Sequence, residues 1–253
     1  MMRRLALLAA LLLAPPATAQ EEVVSGLSND SVSITANFDG SDILIYGAVK
    51  REQPIPATGL DVIITVEGPS EPVTVRRKSR EAGIWVNTAS VEIDRAPSFY
   101  AVETTGPLDK ILYQTEDLRH SISPRQMIRS VGAPNYISDS AAFTDALIRL
   151  REKDGLYAIH EGAVTLKAET LFSTQIDLPA NLIEGAYRTR IFLMRDRSVI
   201  ASDETVIDVR KVGLERWLYD LAQKQATLYA ILALVLASFA GWAASAVFRL
   251  IRN

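Results

Sequence analysis

The spacing of apolar and polar positions divides the chain into regimes with different periods. Residues 31–37 (SVSITAN), 43–49 (ILIYGAV), 60–67 (LDVIITVE), 72–79 (PVTVRRKS), 84–93 (IWVNTASVEI) and 98–104 (SFYAVET) are short runs rich in β-branched and aromatic side chains. Turn-forming residues separate them: Asp39-Gly40, Pro54, Pro56, Gly59, Gly68-Pro69, Gly83, Pro97 and Gly106-Pro107. Short strands at this spacing predict a β-sandwich. Val62, Ile64 and Val66 alternate with their neighbours, so at least one face of that strand is expected to be buried.

The period changes over 107–155. Ser123-Pro124 reads as an N-cap followed by Pro at the first helical position, opening a short helix to about Ser130. Ala141–Asp154 places Phe143, Leu147 and Leu150 on one stripe, and Gly155 stands where a helix C′ glycine belongs. Strands resume at 156–160, 163–168, 171–177, 186–194 and 198–209. The piece LPANLIEGAY (178–187) reads as strand–turn–strand, and beyond it Arg188, Arg190 and Met194 alternate with Thr189, Ile191 and Leu193. Leu214, Trp217, Leu218, Leu221 and Ala222 then form a helical apolar stripe over 213–225.

Residues 226–248 contain no Asp, Glu, Lys or Arg. At about 1.5 Å per residue they span roughly 34 Å as a helix, enough to cross a hydrocarbon core of about 30 Å. The N-terminus is apolar in another way. Arg3 and Arg4 precede a ten-residue apolar run, Leu5–Ala14, too short to span. Pro15-Pro16 and the small-residue motif Ala17-Thr18-Ala19 follow, which is the pattern of a cleaved signal peptide. The expected order is therefore signal peptide 1–19, N-terminal β half 20–106, helical insertion 107–155, C-terminal β half 156–212, juxtamembrane helix 213–225, transmembrane helix 226–248 and tail 249–253. The fold class is mainly β: a β-sandwich-like (Ig-like) exported domain in two halves with a helical insertion, plus one C-terminal transmembrane helix. Local charge slightly opposes this orientation, with Arg210, Lys211, Arg216 and Lys224 outside against Arg249 and Arg252 inside. The signal peptide decides, because a long exported domain translocates largely regardless of its charge. The expected location is a bacterial inner membrane, with the body in the periplasm and a short cytoplasmic C-terminus.

Composition narrows the function. The chain has no cysteine and two histidines, His120 and His160, so an exported body must rest on its core rather than on disulfides, and cysteine nucleophiles and thiolate metal sites are excluded. Lys and Arg number 27 against 30 Asp and Glu; with the four arginines at the two ends set aside, the exported part is still more acidic. That argues against nucleic acid or anionic lipid as a general partner. Adjacent His120-Ser121 and Glu116-Asp117 do not establish a triad, and the chain has neither a G-x-S-x-G elbow nor an H-E-x-x-H helix. The chain is expected to be no enzyme and to need no cofactor or metal.

Two constellations remain. Ala233, Ala237, Gly241 and Ser245 recur every four residues in the span, the pattern of a helix-packing face for a membrane protein partner or a homodimer. Arg76, Arg77, Lys78 and Arg80 make a local basic patch near Trp85, Asn87 and Tyr100. In a strand Arg76, Lys78 and Arg80 share one face, where they can hold a small anion, a headgroup or an acidic partner; a solvated edge strand is the favoured reading of the two.

Several segments resemble a family of alphaproteobacterial transmembrane proteins: FDGSDILIYGAV (38–49), RRKSREAGIWVN (76–87), PSFYAVETTGPL (97–108), LPANLIEGAYRTRIFLMRD (178–196) and KVGLERWLYDLAQKQATLYA (211–230). The resemblance implies the same build of signal peptide, exported domain and single C-terminal span, and implies no activity. It associates the chain with neighbouring membrane exporters of sulfite-like anions, as a lead on a partner. The favoured reading is an accessory subunit of a membrane complex or transporter. A membrane-tethered binding protein for a small anion comes second, and an envelope hydrolase third.

Overall fold

The computed structural model describes residues 21–251, apart from 36–37, 53, 57, 133–136, 138 and 213. The expected signal peptide and the last two residues of the tail lie outside the described residues. The strands are β1 (Glu22–Leu27), β2 (Ser31–Ile34), β3 (Ser41–Lys50), β4 (Asp61–Glu67), β5 (Ser70–Glu81), β6 (Ile84–Pro97) and β7 (Tyr100–Thr104), then β8 (Tyr157–His160), β9 (Thr165–Lys167), β10 (Leu171–Leu178), β11 (Gly185–Arg195) and β12 (Ser198–Lys211). The helices are α1 (Leu108–Ile111), α2 (Gln114–His120), α3 (Pro124–Met127), α4 (Ser140–Lys153), α5 (Leu214–Lys224) and α6 (Ala226–Ile251).

Two sheets and a ribbon result. The first sheet runs β1-β3-β10-β9, the second β2-β12-β11-β4-β7-β8, and β5-β6 form a separate two-stranded ribbon. The pairs are antiparallel except β12–β2 and β7–β8. Each sheet takes strands from before and after the helical segment, so neither expected β half forms a sheet by itself. Asp39-Gly40 separates β2 from β3, which enter different sheets. The ribbon, expected as part of the sandwich, pairs with neither sheet but packs against the second.

The central strands of the second sheet, β4, β7 and the second half of β11, are buried on both faces. Val62, Ile64 and Val66 of β4 join Ile191, Leu193, Ile43, Ile45, Phe172 and Ile176 in the core between the sheets. Ile63 of the same strand faces the other way, with Tyr100, Val102, Phe192 and Met194, into a second core closed by Val75, Val91 and Ile93 of the ribbon and by Ile122, Met127, Phe143 and Leu147. The order of layers is first sheet, second sheet, then ribbon and helices. Tyr100, expected near a surface ligand site, is fully buried in this second core. Its hydroxyl donates to Ile122 O at 2.6 Å, and burial pushes its pKa far above the ordinary phenol value.

The helical segment departs from the sequence reading in detail. Phe143 and Leu147 are buried as expected, but Leu150 is 52% exposed, because the stripe turns away from the core before α4 ends. Gly155 follows α4 at φ +70°, in keeping with its C′ place. Ser123 precedes α3 without capping it by its side chain; its hydroxyl instead donates to Asp117 Oδ2 at 2.7 Å.

Buried charges are tied to partners. Glu21 bonds Arg51 at 2.6 Å and Arg195 at 3.1 Å, which pins the first described residue to the body. Burial raises the Glu21 pKa, but the two guanidiniums outweigh it and hold the carboxyl below its ordinary value. Glu103, on β7, is 1% exposed and meets His160 Nδ1 at 2.7 Å. Its other oxygen has no hydrogen-bond partner among the described residues. Burial raises the Glu103 pKa above 4.5, and His160 offsets this only in part.

Two predictions follow from this packing. A Cβ on Gly47 would lie 2.4 Å from Phe172 Cζ and 2.7 Å from Val24 O. Gly47→Ala should therefore cost about 1–3 kcal/mol and lower the melting temperature by roughly 2–4 °C per kcal/mol. Gly59→Ala, where a Cβ meets nothing within 4 Å, should leave it unchanged; equal melting temperatures for the two would contradict the packing. For Glu103, a raised folded pKa means that its stabilising contribution is complete below pH 4.5 and is lost as pH rises through the folded value. Glu103→Gln, melted across this range, should gain on the native protein as pH rises above 4.5. A difference that does not vary with pH would contradict this.

Candidate functional site

The basic patch lies on the β5-β6 ribbon, and the strand register decides which of its residues meet. Across the ribbon Arg76 pairs with Ser90, Lys78 with Asn87 and Arg80 with Trp85. The register shifts between Arg77 and Lys78, leaving Thr88 as an extra residue on β6, a bulge that keeps Asn87 and Trp85 opposite the cations. Cross-strand partners share a face. One face of the ribbon therefore carries Arg76, Lys78, Arg80, Trp85 and Asn87, five of the seven residues expected from the sequence.

The other two belong elsewhere. Arg77 alternates onto the inner face with Val73 and Val75. Its guanidinium lies 4.9 Å from the centre of the Phe143 ring and is ion-paired with Asp139. The bond to Arg77 holds the Asp139 carboxyl below its ordinary value. Arg77 thus fastens the ribbon to α4. Tyr100 lies in the core, as described above.

The ribbon ends in a two-residue turn, Ala82-Gly83, with φ of +48° and +89°. Positive φ at both central residues matches the right-handed twist of a hairpin. Beside this turn Ile84 and Trp85 are 65% and 69% exposed. Along the outer face the cations stand two residues apart, about 7 Å per step. They form a row on an open surface rather than converging on a point.

Two clefts hold the remaining ionisable side chains of interest. One, of about 580 Å³, is lined by Glu21, Glu22, Glu116, Arg119, His120 and Asp203 among others. Within it Glu116 pairs with Arg119 at 3.0 Å and lies 3.5 Å from His120. Asp117 turns away, accepting from the backbone N–H groups of Ile122 and Ser123. His120 packs edge-on to Phe192. The second cleft, of about 670 Å³, is lined by Asp39, Asp42, Glu152, Asp177 and His160 among others. Among the described residues, no group of three or more His, Asp or Glu side chains is placed to hold a metal.

The anchor is the helix α6. Its segment Ala226–Ser245 is long and apolar enough to cross a membrane. Ala233, Ala237, Gly241 and Ser245 are exposed along it, and a Cβ on Gly241 would meet nothing within 4 Å. Exposed Ile231, Val235, Phe239 and Trp242 occupy other positions, with the Phe239 and Trp242 rings 5.9 Å apart.

No curated protein matches the chain. Among solved structures, the sporulation control protein Spo0M from Bacillus subtilis is similar at 11% identity, over 83% of this chain and 56% of that one, with a TM-score of 0.28. The partial N-terminal region of an enterococcal surface protein is similar at 11% identity, over 81% and 47%, with a TM-score of 0.26. The chain thus spans about half the length of the solved structures it matches. The model of the alphaproteobacterial family described as "Putative transmembrane protein" matches residues 22–250, and the chain, a β-sandwich body on one apolar C-terminal helix, belongs to that family.

Proposed function

We propose that this protein is a single-pass inner-membrane accessory subunit, whose periplasmic sandwich is held beside another membrane protein by pairing through α6. The observation that carries the reading is the face of Ala233, Ala237, Gly241 and Ser245 on an exposed, uncharged helix. Small side chains every four residues let a second helix approach closely, so that packing rather than hydrophobicity drives association within lipid. The pattern of Arg3 and Arg4, a ten-residue apolar run and Ala17-Thr18-Ala19 supports export of the body.

The body's own chemistry favours binding over turnover. Glu116, His120 and Asp117 are engaged with Arg119, Phe192 and the backbone of Ile122 and Ser123, so they do not form a relay aimed at a reacting atom. A tethered small-anion site on the ribbon is less favoured. An anion is held best by donors that converge, and Arg76, Lys78 and Arg80 are spread along an open face while Arg77 is committed to Asp139.

The test is the mass of the full-length protein extracted from its native membrane in mild detergent. The native chain should elute in a stoichiometric complex with a second membrane protein. Ala237→Leu/Gly241→Leu should lose that partner while the melting temperature of the body stays the same. A complex unchanged by the double variant would overturn the assigned face, and a lone native chain or a homodimer would overturn the accessory role.

A further inference from the structure

The outer face of the ribbon suits a flat polyanionic surface rather than a pocketed ligand. Three cations line it at about 7 Å steps. At its tip Ile84 and Trp85 are the most exposed large apolar side chains of the ribbon. Trp favours the boundary between headgroups and acyl chains, because its ring is apolar and its N–H is polar. Lys and Arg beside such a residue are drawn to the negative potential of anionic lipid. The same chain supplies the bilayer: α5 and α6 follow β12 directly, and an 11-residue helix such as α5 extends only about 16 Å. The body is thus held near the membrane surface, where a weak contact is strengthened by high effective concentration.

We propose that the β5-β6 ribbon is a second membrane contact, in which Ile84 and Trp85 enter the interface of an anionic bilayer and Arg76, Lys78 and Arg80 engage its phosphate headgroups. The ribbon is fixed to the body by Arg77, through Phe143 and Asp139, so docking its tip fixes the orientation of the sandwich over the membrane. Two carboxylates adjoin the row: Glu81 beside the tip accepts a hydrogen bond from Ser79, and exposed Glu92, opposite Thr74, lies on the same outer face at the end of the row away from the tip. The inference uses the membrane anchoring of α6 but not the identity of any protein partner.

The experiment uses the full chain with Trp217→Phe and Trp242→Phe, which leaves Trp85 as the only one of the three tryptophans. The protein is placed in nanodiscs of phosphatidylcholine, alone or mixed with phosphatidylglycerol, carrying acyl-brominated lipid as quencher. Trp85 emission should be blue-shifted and quenched in the anionic discs and solvent-like in the neutral ones. Arg76→Gln/Lys78→Gln/Arg80→Gln should lower the docked-to-free ratio by about fivefold per charge removed, with cooperative melting retained as the control for folding. Solvent-like, unquenched emission in both discs would overturn the proposal. Equal quenching in both would overturn the part assigned to the cations. Stabilisation of the detergent-solubilised protein by inorganic phosphate or sulfate, lost in the triple variant, would mark the face as a free-anion site instead. Loss of the protein partner in the α6 variant leaves these readings unaffected, so the two proposals fail separately.

Discussion

Burial of the central strands of the six-stranded sheet on both faces is the constraint on which the rest of this protein depends. An antiparallel sheet can leave one face to water, but here β4 is buried on both sides beyond its first residue and β7 is buried throughout. Val62, Ile63 and Ile64 are fully buried in succession, at about 1.5–3 kcal/mol each. Consecutive apolar residues in a strand point to opposite faces, so two covering layers are required. The four-stranded sheet supplies one, and the ribbon with the helices supplies the other. The helical segment is therefore the lid of a second core rather than an ornament between two β halves.

This arrangement also explains the placement of charge. Polar groups caught in a doubly covered sheet must find partners or raise the cost of folding. Glu103 finds His160, Glu67 finds Arg95 at 3.2 Å, and Arg190 donates to the carbonyls of His120 and Ser121 at 2.7 and 2.9 Å. Of the residues that looked chemically suggestive in the sequence, Glu116, Asp117 and His120 are engaged by Arg119, by the backbone of Ile122 and Ser123, and by Phe192. Groups left over for encounters lie where the layers end: the outer face and tip of the ribbon, and the apolar helix that follows the body in the chain.

Local periodicity made much of this legible. Most strand positions follow from β-branched runs and turn residues, and the shared face of Arg76, Lys78 and Arg80 follows from a period of two. Partner choice did not follow. The place of β2 beside β12, and of β3 between β1 and β10, depends on contacts between residues far apart in the chain. Asp139, which claims Arg77, is 62 residues away. Tyr100 reads alike as a binding residue or a core residue, because its ring is apolar and its hydroxyl needs only one acceptor. The strand β1 was missed because EVVSGL is short and lies directly after a polar Gln-Glu-Glu stretch. The apolar anchor was the most legible element, since no soluble surface helix of that length is free of charge for so long.

Export of the body would put the sandwich and its ribbon on the far side of the membrane from the C-terminal tail, and this is open to direct measurement. The chain has no cysteine, so a single one can be introduced at exposed Lys167 on β9, or at Asn253, without competing thiols. Intact cells are then treated with a thiol reagent small enough to reach the periplasm but unable to cross the inner membrane. Labelling of Lys167→Cys in intact cells, with Asn253→Cys labelled only after lysis, is the predicted result. The reverse pattern would place the body in the cytoplasm and contradict the account.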